Sequence, residues 1–153
     1  MADQSILGLF AERGYRPIEL TSVMYRELDS KKPLEPRTDS RVTARVIDQG
    51  EVELWARTSA EAWSTEHPGL GEFMLNFGMI SAQCAGAYPY IGHLDGTAVA
   101  TGMLFVYDDI CILAGASTIP TGRKQGAQNA LLRDRLNFAA ESGCRIAMMG
   151  AAP

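Results

Sequence analysis

The sequence predicts an α/β fold of the α+β kind, with a central mixed sheet flanked by helices. Three observations predict it. Residues 90–118 hold three apolar runs joined by tight turns, one of them Asp95-Gly96, a strong hairpin signal. Residues 110–142 read as strand, basic glycine-containing turn and helix in direct succession, and 144–149 add a further apolar strand. Between 52 and 84, apolar side chains recur at helical spacing in two segments.

The chain begins with a short helix over 3–13, with Ile6, Leu7, Leu9 and Phe10 on its apolar side and Gly14 where a C-terminal glycine belongs. After Pro17, residues 18–25 alternate well enough for a strand. This helix–strand unit, 1–28, is too small to fold alone and is expected to dock on something. Residues 29–40, with Asp29, Lys31, Lys32, Pro33, Pro36, Arg37 and Asp39, form a solvated linker. The main domain is expected over 41–153.

Within it, 42–47 is a short strand, and Asp48 with Glu51 resembles a capping box for the next helix. Val52, Trp55, Ala56, Ser59, Ala62 and Trp63 share one face of that helix, and both tryptophans are expected in the core. His67-Pro68-Gly69 breaks it and leaves His67 exposed. A second helix follows, with Phe73, Phe77, Ile80, Ser81 and Cys84 in register and its end near Gly86. Residues 90–94, 97–107 and 110–118 form an antiparallel meander, with Asp108-Asp109 in its second turn.

The turn at Arg123-Lys124-Gln125-Gly126-Ala127-Gln128 is the candidate site. A helix start offers four backbone N–H groups without intrahelical partners and roughly half a positive charge from aligned peptide dipoles. Gly126 lets a ligand approach the backbone, while Arg123 and Lys124 add full charges. These features point to an anion, most simply phosphate or pyrophosphate. The spacing excludes two common phosphate loops: no glycine here leads into G-x-x-x-x-G-K-[ST], and Gly122 and Gly126 do not fit G-x-G-x-x-G.

Composition narrows the function classes. Across 153 residues the apolar content is 46%, the charged content 21% and the net charge -4, which suits a globular domain and argues against a general nucleic-acid binder. No apolar run approaches the ~20 residues of a membrane span, and residues 1–20 do not read as a secretory signal. A cytoplasmic protein is expected. Cys84, Cys111 and Cys144 each lie in an apolar run and are expected as small core side chains; with two isolated histidines they fit no metal-ligand spacing.

Arg123 and Gly126 also fit R/Q-x-x-G-x-G/A, the pyrophosphate motif of the GNAT N-acetyltransferase superfamily, with Gln128 in the last, usually small, position. Ser117-Thr118-Ile119-Pro120 before the turn, and Ala130, Leu131, Leu132 and Arg135 after it, resemble a bacterial branch of that family. From about Val42 onward the order of elements is similar to a GNAT domain, one that is C-terminally incomplete. The resemblance implies that acetyl-CoA is the cosubstrate and an amine the acceptor. It puts the pantetheine arm along Ser117, Thr118 and Ile119, and the pyrophosphate on Arg123, Lys124, Gln125, Gly126, Ala127 and Gln128. In that family a further helix and strands follow the fifth strand and close the acceptor side, and this sequence, which ends at Pro153, does not include them. Residues 9–15 followed by a strand resemble that closing unit. Two arrangements follow: part of a two-lobe protein, or an N-terminal unit that packs where the missing end would lie, in this chain or a partner's. An open edge at 144–149 would be a pairing hazard, so a homodimer, a second GNAT-like lobe or an intramolecular cover is expected.

Acetyl transfer requires a deprotonated amine, a polarised thioester carbonyl and protonation of the thiolate. Residues 110–118 contain no Asp or Glu, and Asp108 and Asp109 belong to a turn. Glu72, His93, Tyr88, Tyr90 and Tyr107 are not singled out by spacing, so no catalytic residue is assigned. The competing reading is a GNAT-like lobe that binds CoA, or only packs against a partner, without turnover.

Overall fold

The structure, a computed structural model, describes residues 4–16, 18, 21–35 and 39–151. Its elements are α1 (Gln4–Glu12), β1 (Ser22–Glu27), β2 (Val42–Val46), α2 (Val52–Glu66), α3 (Gly71–Ser81), β3 (Ala87–Leu94), β4 (Thr97–Tyr107), β5 (Ile110–Thr118), α4 (Ala127–Glu141) and β6 (Ile146–Ala151). The strands form one sheet in the order β1-β6-β5-β4-β3-β2. Every pairing is antiparallel except β5 with β6, so the sheet is mixed, as the sequence predicts.

Alternation along the central strands splits the core between two faces. Tyr90, Leu104, Cys111 and Leu113 face α4 and pack with Leu131, Leu136 and Ala139. Ile91 and Met103 face the other way, onto Trp55 and Ala56 of α2 and the half-buried Leu75 and Met79 of α3. Trp55 Nε1 donates to Tyr90 O at 2.9 Å, so its polar end is satisfied inside the core. Leu104 and Leu131 are fully buried, which stabilises the fold by about 1.5–3 kcal/mol for each side chain removed from water.

The N-terminal unit docks through β1, which pairs with the outer edge of β6 from Ser22↔Ala151 to Glu27↔Ile146. The exposed edge expected at the last strand is therefore covered within the chain. The strand is Ser22–Glu27 instead of 18–25; Pro17, Glu19 and Leu20 lie outside the described residues. Its position follows its partner, because β6 itself begins at Ile146. The preceding pair is taken up elsewhere, with Cys144 N–H donating to Ala139 O and Arg145 N–H to Asp109 O. The linker is tied down at Leu34, whose N–H and C=O are both bonded by the Asn137 side-chain amide, at 2.8 and 3.0 Å.

Three sequence expectations about burial require correction. On α3 the face carrying Phe73, Phe77 and Ile80 is exposed, and Phe73 stacks on Phe77 at the surface. The inward face is that of Gly78 and Ser81, because a Cβ on Gly78 would lie 3.1 Å from Ala56 Cβ. Close approach of two helix backbones decided the rotation, overriding side-chain hydrophobicity. Cys84, beyond that helix, is exposed rather than a core residue, while Cys111 and Cys144 are buried. Trp63 is half-buried and lines the cleft described below instead of filling the core.

Candidate functional site

The site begins where β5 and β6 part. They pair only from Ile110↔Ile146 to Leu113↔Met149. Beyond Leu113, β5 stays with β4 while β6 stays with β1. The cause is a bulge: Met103 opposes Ala114 and Thr101 opposes Ser117, so Gly115 and Ala116 together face the single residue Gly102. Gly115 has φ +59, which a residue with a side chain adopts only at a cost. A bulge bends its strand, and here β5 bends away from β6 and leaves one edge of its C-terminal half without a strand partner among the described residues.

A cleft of about 480 Å³ occupies the opening. Ala116, Ser117 and Thr118 of β5, Met149 of β6, Leu132 and Arg135 of α4, and Trp63 and Glu66 of α2 line it. It runs into a second hollow of about 360 Å³ over Gly122, Lys124, Gly126 and Ala127, with Thr118, Arg123, Gln128 and Asn129 common to both. Strand edge and helix head therefore share one continuous groove.

At the helix head the backbone is free. Among the described residues, the N–H groups of residues 124–129 make no hydrogen bond, and no side chain caps α4; the first bonded amide is Ala130, which donates to Gly126 O at 3.1 Å. The turn contains two left-handed residues, Lys124 at φ +61 and Gly126 at φ +90, ψ +8. Left-handed residues in a turn direct successive amides into one concavity, the arrangement that receives anionic oxygens. Holding a lysine there costs on the order of 1–2 kcal/mol. Such strain collects where a function needs the geometry.

The side chains around this turn are arranged differently from one another. Arg123 donates from Nε to Thr118 O at 3.2 Å and pairs through Nη2 with Glu66 at 3.1 Å, so its charge stays at the rim. Lys124 is exposed. Gln128, in the position where the family motif has a small residue, is directed at β5. Its Nε2 donates to Ser117 O at 2.6 Å, Thr118 Oγ1 at 3.0 Å and Thr101 O at 3.3 Å. It is a strut between the first turn of α4 and the end of β5, and it leaves the amides uncovered.

Of the residues expected along the pantetheine arm, Ser117 and Thr118 line the cleft. Ser117 Oγ shares a hydrogen bond with Thr101 Oγ1 at 2.7 Å. Ile119 is turned inward: its N–H donates to Val99 O at 3.0 Å and its side chain packs against the core. Residues 123–128 are brought together at the helix head.

Of the groups considered for proton transfer, none lines the cleft. Tyr88 and Tyr90 pack on Phe138, and burial pushes the Tyr90 phenol well above its ordinary range. Tyr107 and Glu72 are exposed. Burial lowers the His93 pKa, and nearby Arg45 lowers it further. Asp109 is held in its turn by Arg145, whose Nε donates to Oδ2 at 2.7 Å and whose guanidinium lowers the carboxyl pKa. The carboxylate that does line the cleft is Glu66, which continues the face of Ser59, Ala62 and Trp63 at helical spacing and was not singled out in the sequence.

Two further residues line the cleft: Trp63, which was expected in the core, and Arg135, which the sequence marked only through the family resemblance. Trp63 Nε1 is sealed from water without a hydrogen-bond partner. Arg135 is 3% exposed, with Nε donating to Leu131 O at 3.1 Å and Nη1 to Met103 O at 3.1 Å and Ala114 O at 3.4 Å. It grips both strands of the bulge, and Gly102 is required beside it, since a Cβ there would lie 2.8 Å from Cζ. An arginine amid apolar helix positions was the available signal.

Comparison with known proteins agrees with this architecture. No protein-family model matches the chain, and no curated protein matches it. Among solved structures, a GCN5-related N-acetyltransferase from Sphaerobacter thermophilus superposes with a TM-score of 0.77 at 21% identity, over 99% of this chain and 48% of that one. A GCN5-related N-acetyltransferase from Kribbella flavida gives 0.71 at 20% identity, over 98% and 55%. An aminoglycoside N-acetyltransferase in complex with CoA gives 0.57 at 21%, over 78% and 82%. The likeness is one of fold: the chain has the GCN5-related N-acetyltransferase fold, and it spans about half the length of the first two structures. No helix among the described residues is long and apolar enough to cross a membrane.

Proposed function

We propose that this chain binds acetyl-CoA and transfers its acetyl group to a primary amine of a small molecule or protein. One observation carries the reading: residues 124–129 present unbonded amides at the head of α4, in the same groove as the free edge of β5. A CoA diphosphate would accept from those amides, with Arg123 and Lys124 adding charge. The pantetheine arm would lie against Ser117 and Thr118. Charge-assisted bonds of this kind contribute roughly 1.5–3 kcal/mol each. In the transfer, the amine nitrogen attacks the thioester carbon, the C–N bond forms, the C–S bond breaks and the thiolate takes up a proton. Binding both reactants in line would supply much of the acceleration, as is general for positioned bimolecular reactions. In this reading the enzyme is cytoplasmic and acts alone or beside a second lobe of the same kind.

A second reading, a CoA-binding lobe without turnover, is favoured by a specific observation. Glu66 is the carboxylate of the cleft, and it is engaged by Arg123. Two measurements separate the readings. Thermal unfolding with millimolar acetyl-CoA is expected to shift upward, because a ligand that binds only the folded state stabilises it. No shift would remove the cofactor site altogether. Thiol release over a panel of primary amines is expected to exceed the rate without amine; release equal to that background, with the thermal shift intact, would leave the binding lobe.

A further inference from the structure

We propose that Arg135 receives a carboxylate at the inner end of the cleft, carried either by the acyl group of the CoA thioester or by the amine acceptor. The inference rests on the CoA-binding reading and adds to it the class of substrate. Its starting point is an uncompensated charge. The guanidinium is buried, and its three hydrogen-bonded acceptors, Leu131 O, Met103 O and Ala114 O, are neutral carbonyls. No carboxylate among the described residues forms an ion pair with it. Burial lowers its pKa to about 10, so it remains a cation at neutral pH. An ion taken out of water without a counter-ion costs several kcal/mol, and an anion arriving from outside offsets part of that cost.

The geometry leaves a place for such an anion. Nε and Nη1 are used, whereas Nη2 makes no hydrogen bond. Among the described residues the side-chain atom that is both sealed and unpartnered is Trp63 Nε1; Nη2 is unpartnered but not sealed, and Arg135 lines the cleft. A charged N–H left over on Nη2 bonds a carboxylate oxygen more strongly than a neutral carbonyl. Arg135 lies seven residues along α4 from Gln128, about 10 Å at the helical rise. It is therefore well separated from the helix head and cannot serve the diphosphate.

The test has two arms, one for each source of the carboxylate. In the first, isothermal titration compares succinyl-CoA with butyryl-CoA, which have acyl chains of similar length; in the second, acetyl-transfer rates compare an α-amino acid with its amide. The expected result is at least a tenfold preference for the carboxylate form in one arm, lost in Arg135→Met and retained in part in Arg135→Lys. Preference in the first arm identifies the acyl group, and in the second the acceptor. Because Arg135→Met also loses the bonds to the bulge, the wild-type comparison stands by itself if that variant misfolds. Equal binding and equal rates in the wild type, with acetyl-CoA still bound, would overturn the inference and leave the CoA site intact. Absence of any CoA binding would overturn the reading beneath it.

Discussion

Gly126 offers the sharpest perturbation of the helix head. Its φ of +90 and ψ of +8 lie where a β-branched side chain is strained. Gly126→Val is expected to destabilise the fold by about 1–2 kcal/mol. For a domain of this size that lowers Tm by roughly 2–8 °C. The effect on binding should be larger. If the turn relaxes and two of the amides at 124–129 no longer reach the diphosphate, about 3–6 kcal/mol is lost. That corresponds to an affinity for acetyl-CoA weaker by about 10²–10⁴. Gly126→Asn separates the two effects, because asparagine tolerates the left-handed region; it should recover most of the lost stability. Differential scanning fluorimetry of the free protein gives the first quantity, and isothermal titration gives the second. Wild-type affinity in a folded Gly126→Val protein would refute the assignment of the turn as the phosphate site.

Two further predictions test other parts of the account. Cys84 is exposed, whereas Cys111 and Cys144 are buried and burial pushes the Cys111 thiol up to about 12; iodoacetamide at pH 8 should therefore label Cys84 alone in the native protein, and all three cysteines after unfolding, as read by mass spectrometry. Glu51 is held at a pKa of about 2, chiefly by its hydrogen bonds from Arg45 at 2.6 and 2.7 Å. A depressed carboxyl contributes stability above its unfolded pKa and loses it as pH falls through the folded one. Tm should thus fall more steeply between about pH 5 and pH 2 in the wild type than in Glu51→Gln, and parallel curves would remove that ion pair from the account.

The parts of the fold that were legible in the sequence are those set by local chemistry. Asp95-Gly96 turns the first hairpin with φ values of +49 and +78, as a two-residue loop of that composition requires. The limits of the meander's last strand, 110–118, coincide with β5, because Asp108-Asp109 and Pro120 mark both ends. The helix head was legible for the same reason: a glycine, two cations and an amphipathic run lie consecutively. What remained hidden depends on contacts distant in sequence. Gly115 reads as one small residue among several, and only its pairing opposite Gly102 reveals the bulge that opens the cleft. The inward face of α3 was set by Gly78 meeting Ala56, which hydrophobic periodicity cannot register. Arg135 stands in the sequence only as part of the family resemblance, and its burial follows from Met103 O and Ala114 O, which lie far off in the chain. Gln128 departs from the motif, and its reason lies on two strands, at Ser117 of β5 and Thr101 of β4.

The central claim is that main-chain donors at the head of α4 hold the CoA diphosphate. Titration of ¹⁵N-labelled protein with CoA, followed through its amide resonances, examines those donors individually. The largest shifts are expected at residues 124–129, with smaller ones along 114–118. Saturable binding with those resonances unmoved, and the shifts gathered elsewhere on the chain, would contradict the account.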